Sequence, residues 1–109
     1  MNRFLIIPDL ADIKNSLSIA DEYGFGFEYN DFFSPELLDD ERKRQDAITL
    51  YQERELPSYC TLHGAFYDVI PFSPDPKIRE IGKDRIFQSM ADARAMKVKA
   101  VVFHTGYNP

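Results

Sequence analysis

Residues 58–63 read SYCTLH and residues 99–104 read KAVVFH. Each is a short apolar run that closes on a histidine, and these are the chain's two histidines. His63 is followed at once by Gly64, and His104 by Gly106 after one residue. A run apolar on both faces, as AVVF is, suits a parallel strand covered by helices. Between the two runs lies a turn-rich loop, GAFYDVIPFSPDP, and then Asp75–Pro76, a capping carboxylate followed by proline at the first helical position. Ile78, Ile81, Ile86, Met90, Ala93 and Met96 recur after it at helical spacing, which predicts a long helix with these residues as its apolar side. Gly82 is a candidate kink within it. Strand, helix and strand in this order make one parallel βαβ unit with a right-handed crossover.

The same grammar runs upstream. RFLIIP, 3–8, reads as a buried strand ended by Pro8, and Asp9 as the cap of a helix whose apolar positions are Leu10, Ile13, Leu17 and Ala20. Gly24 stands where a helix ends in the left-handed conformation. FGFEY, 25–29, is a second strand, with Phe25 and Phe27 on one face and Gly26 and Glu28 on the other. Ser34–Pro35 repeats the helix-start signal. The mixed-charge run DDERKRQD, 39–46, reads as the solvated face of one second helix, with Ile48, Tyr51 and Leu56 as its apolar side and Pro57 at its end. The predicted order is βαβαβαβ, an α/β chain read as one unit over residues 1–109.

Composition narrows the function. The formal net charge is −5, with 13 Lys and Arg against 18 Asp and Glu, which argues against a nucleic-acid partner. Nine Phe and six Tyr supply core volume in the absence of Trp. No apolar run is long enough for a signal peptide or a membrane span, so a cytoplasmic protein is expected. Cys60 is the one cysteine, which excludes an intrachain disulfide and reads as a buried thiol.

Strand parity then relates the two histidines. Side chains alternate between faces. If His63 faces inward, so do Thr61 and Tyr59, while Cys60 and Leu62 face the helices. If His104 faces inward, so do Ala100 and Val102, while Val101 and Phe103 face the helices. Glu28 falls on the same inward face. The histidines are thus expected side by side at the carboxyl ends of neighbouring parallel strands, the edge at which α/β sheets and barrels bind ligands. Two imidazoles there can share a divalent cation, although a catalytic zinc normally takes three protein ligands. The plainer alternative is that each imidazole hydrogen-bonds a backbone carbonyl or a carboxylate. For Glu28 the plainer alternative is a pair with a nearby Lys or Arg.

Over 59–107 the strand ending in His63, the loop, the small-residue helix SMADARAMK and the strand ending in His104-Thr105-Gly106 resemble the sugar phosphate isomerase/epimerase superfamily. These are the xylose isomerase-like barrels, which include endonuclease IV. FGFEY, ending near Glu28, resembles the family's second strand. The resemblance implies the N-terminal half of a (β/α)₈ TIM barrel, an incomplete one at this length, with a divalent metal, zinc or manganese, at its carboxyl face. It implies His63 and His104 as metal ligands, because they match zinc ligands of endonuclease IV. Glu28 would orient substrate, and Phe66 and Tyr107 would wall the pocket. Ala65 and Phe66 depart from the Pro and Tyr of the endonuclease pattern, and with the acidic composition this favours the carbohydrate branch. The expected partners are a small carbohydrate and a second copy of the chain, as a homodimer or higher oligomer, with no nucleic acid and no membrane. The isomerase acids lie on later strands, so the 109 residues alone are expected to be inactive. The alternatives are an endonuclease IV-like metal-dependent hydrolase and a non-catalytic self-associating module.

Overall fold

The computed structural model describes residues 3–104. Strand β1 (Leu5–Ile6) leads through a 3₁₀ turn (Leu10–Asp12) into helix α1 (Ile13–Tyr23), and β2 (Gly26–Tyr29) follows. Two helices, α2 (Pro35–Leu38) and α3 (Glu41–Gln52), precede β3 (Cys60–His63). The long α4 (Pro76–Met96) then returns the chain to β4 (Ala100–Val102). The four strands form one sheet in the order β1-β2-β3-β4, all parallel. This is the α/β alternation expected of half a (β/α)₈ barrel.

The sequence signals act where they stand. The Asp9 carboxylate accepts from the Ala11 N–H at 3.0 Å and starts the 3₁₀ turn rather than the α-helix itself. Gly24 ends α1 at φ 70°, with its N–H on the Ala20 carbonyl. Ser34 and Asp75 cap the two helices that begin with proline. The one helix expected over 35–56 is instead two. Asp40 adopts an extended backbone and its carboxylate accepts from the Lys43 N–H at 3.0 Å, so a cap sits inside the charged run and restarts the helix.

The core lies between the sheet and the helices. Phe27, Tyr29 and Leu62 are fully buried there with Cys60, against Ile13, Ala20, Ile48, Tyr51, Ala93 and Met96. Register places Phe27 beside Cys60 and Tyr29 beside Leu62, so one face of two neighbouring strands supplies the apolar layer. The large apolar side chains among them, such as Phe27 and Leu62, each contribute about 1.5–3 kcal/mol by leaving water.

Helix α4 departs from expectation. Ile78, Ile81 and Met90 are exposed, whereas Gly82, Ser89 and Asp92 are buried with Ala93 and Met96. Apart from Met96 the buried stripe is one of small and polar residues, and Ser89 and Asp92 in it make specific contacts. A Cβ at Gly82 would lie 3.3 Å from the Ile70 nitrogen, so the glycine admits the 70–71 backbone, and the helix runs on past it. Ser89 accepts from the Ala65 N–H at 2.9 Å and donates to the Arg85 carbonyl at 3.0 Å. Asp92 receives Arg44 of α3 at 2.6 Å. Leu38, Ala65, Val69 and Ile86 form a second small core that pins the β3–α4 loop over α2.

Candidate functional site

The carboxyl ends of β3 and β4 bring the histidines together. His63 is in register with Val102, and His104 stands two residues further on, beyond the end of β4. Its ring reaches back, and the two Nε2 atoms lie 3.0 Å apart, the rings nearly perpendicular at 78°. His63 Nδ1 lies 2.8 Å from the Gly64 carbonyl oxygen. A carbonyl only accepts, so Nδ1 carries the proton, and the neutral ring presents a lone pair at Nε2. With no cation, His104 donates its Nε2–H to that lone pair. With its proton on Nδ1 instead, His104 presents a second lone pair beside the first. Two nitrogens on one tetrahedral zinc, each about 2.0–2.1 Å away, lie about 3.3 Å apart, so the observed spacing fits such a pair closely. Both plain and metal-binding readings of His63 are thus served by one geometry: the carbonyl bond fixes the ring that offers Nε2.

Gly64 explains its own place after His63. A Cβ there would run into the Phe103 ring, and its N–H donates to the Val102 carbonyl at 2.9 Å. The strand end bearing His104 therefore packs directly on the backbone that follows His63. The next residue, Ala65, is tied by its N–H to Ser89, so α4 holds the start of the loop.

Aromatic rings border the pair. Phe66 stacks with His104 at 4.9 Å and 21°, and its centroid lies 5.1 Å from that of His63 in an edge-on arrangement. Phe33, from the β2–α2 loop, stacks with Phe66 at 5.0 Å and 14°, and Tyr67 meets both rings. Glu28 lies on the same sheet face but one layer lower, in register with Thr61, whose hydroxyl donates to it at 3.3 Å. That bond takes the place of the Lys or Arg pair considered from sequence. Tyr107 lies outside the described residues. Among the described residues no group of three or more His, Cys, Asp and Glu side chains is arranged to hold a metal.

Other polar groups serve the fold. Tyr51 donates to Asp31 at 2.5 Å just past β2. Burial raises the Asp31 carboxyl above its ordinary range against the lowering effect of that bond. Cys60 is buried, as expected, and receives a weak bond from the Tyr29 hydroxyl. A cleft of about 730 Å³, lined by residues that include Lys14, Asp21, Glu55 and Ser58, opens at the opposite, amino-terminal edge of the sheet and contains neither histidine.

No family model matches the chain, and no curated protein matches it. Among solved structures it is similar to the TTHB071 protein from Thermus thermophilus, in a structure soaked with ZnCl2. The TM-score is 0.69 at 23% identity, over 97% of this chain and 40% of that one. The likeness shows the fold, and the chain spans about two fifths of that protein's length. No helix among the described residues is long and apolar enough to cross a membrane.

Proposed function

We propose that the chain carries the histidine-bearing part of a metal-assisted isomerase or epimerase acting on a sugar or sugar phosphate. The observation that carries this reading is the 3.0 Å approach of the His63 and His104 Nε2 atoms at the carboxyl edge of the parallel sheet. These two residues would hold a divalent cation, zinc or manganese, which when bound polarises a substrate carbonyl and hydroxyl. The Gly64 carbonyl keeps His63 in the Nδ1–H tautomer. Glu28, steadied by Thr61, offers a carboxylate to substrate hydroxyls from the layer below. Phe66 gives the site an apolar border suited to the C–H face of a sugar ring. The acids that move a proton between adjacent carbons lie on later strands in the enzymes the sequence resembles. On this reading the described residues supply the metal-binding and substrate-orienting part of the site.

Self-association belongs to the same reading. Among the described residues β1 and β4 are the outer strands of the sheet, each with one edge that no other described strand pairs. A second copy of the chain, running its β1 along the free edge of β4, would extend the parallel sheet.

Calorimetric titration with ZnCl2 tests the site. Weak binding is expected, lost in both His63→Ala and His104→Ala. Tight zinc binding that survives both substitutions would overturn the assignment.

A further inference from the structure

We propose that Phe33 is a positioning residue for the histidine pair, acting through Phe66 on the ring of His104; the metal part of this rests on the reading above. His104 is exposed and stands two residues past the end of β4, so the sheet hydrogen bonds do not fix its ring. Besides His63, whose ring meets its edge, Phe66 lies against it, near-parallel at 4.9 Å. Phe66 is itself on a loop, and its ring is parallel to Phe33 at 5.0 Å. Phe33, Phe66 and His104 thus form a run of near-parallel rings from the β2–α2 loop to the end of β4, with Tyr67 edge-on to Phe33.

The far end of this run is anchored. Phe32, next to Phe33, is fully buried in the core. Asp31 before it holds the Tyr51 hydroxyl, and Ser34 after it caps α2 through the Leu37 N–H. A backbone held on both sides presents the Phe33 ring in one place. Stacked aromatic pairs contribute about 0.5–1.5 kcal/mol each, enough to select one arrangement of a strand-end imidazole. A pair already arranged at 3.0 Å binds a cation without first ordering its rings.

The test uses the whole chain and two readouts. In ZnCl2 titrations Phe33→Ala is expected to weaken binding about two- to tenfold, the ratio that one lost stack implies. Phe33→Tyr, which keeps a planar ring, should retain wild-type affinity, and Phe33→Leu, which keeps apolar bulk without the ring, should behave like Phe33→Ala. By NMR the His104 imidazole protons should sit away from free-histidine positions through the Phe66 ring current and move toward them in Phe33→Ala and Phe33→Leu. If His63→Ala abolishes binding but Phe33→Ala and Phe33→Leu change neither affinity nor the His104 signals, the positioning role is overturned and the metal reading stands. If zinc binding ignores His63→Ala, the metal reading falls, and the His104 signals in Phe33→Leu still decide the positioning role.

Discussion

His63 and His104 meet at their Nε2 atoms, 3.0 Å apart, although the sheet pairs His63 with Val102 rather than with His104. The two-residue offset is made up by packing. Phe103 lies over Gly64, and the Gly64 N–H holds the Val102 carbonyl, so the segment 102–104 closes over the end of β3.

Gly64→Ala should therefore act on the site as well as on stability. Its methyl would displace the Phe103 ring, an overpacking that typically costs about 1–3 kcal/mol. His104 would move with its neighbour. The expected result is a lowered urea midpoint and a shift of the His104 imidazole signals by NMR. Unchanged signals in a folded Gly64→Ala protein would show that the two strand ends are independent.

The strand parity of the histidines is legible because period-two alternation is a property of the backbone and needs no knowledge of neighbours. The caps at Asp9, Ser34 and Asp75 are legible for the same reason: each is a local bond from a side chain to an N–H a few residues on. Phe33 is not, because a loop has no period and its ring finds Phe66 only through the fold. Asp40 is hidden in a charged run where any of several acids could cap. The buried side of α4 misleads most. Ile78, Ile81 and Met90 suggest a core stripe, but Ser89 and Asp92 are the residues with partners, on Ala65 and Arg44, far off in sequence.

The Arg44–Asp92 pair yields the clearest stability prediction. Asp92 is 1% exposed, both Arg44 bonds fall on Oδ1, and Oδ2 has no partner among the described residues. Burial raises this carboxyl, and Arg44 opposes the shift. Arg44→Ala leaves the carboxyl buried and alone and should cost about 3–5 kcal/mol in chemical denaturation. The double variant Arg44→Met/Asp92→Leu, apolar at both positions, should recover most of that loss. A single variant as stable as wild type would mean that the pair is solvated.

Asp31 sets a pH dependence with a definite sign. Burial raises its carboxyl above the usual value of 3.8, the Tyr51 bond lowers it in part, and the nearby Asp9 raises it. The folded chain thus holds this proton more tightly than the unfolded chain. Its contribution is most favourable below 3.8 and declines as pH rises through the interval up to the folded value. In Asp31→Asn the amide still accepts from Tyr51 and does not ionise. The stability of wild type relative to Asp31→Asn should therefore fall as pH is raised from acid toward neutrality, read from paired urea curves. A difference that is flat with pH, or that grows in favour of wild type, contradicts this account.

An open strand edge offers unpaired N–H and C=O groups, and proteins that stay monomeric blunt such edges with charge, proline or a cover. Here Phe4 and Ile7 flank β1 at 62% and 61% exposure, and Val102 on β4 is also exposed. Phe87 and Met90 on α4 are exposed as well. The strands are all parallel, so β1 of one copy can run beside β4 of another without reversing, and a closed pair satisfies both edges of each copy at once. Light scattering over a dilution series should give about twice 12.6 kDa at high concentration and a falling mass on dilution. Phe4→Lys with Ile7→Lys puts charge at the β1 edge and should move the midpoint to higher concentration while leaving the far-UV circular dichroism unchanged. A folded species that stays at 12.6 kDa across the micromolar range would overturn the pairing.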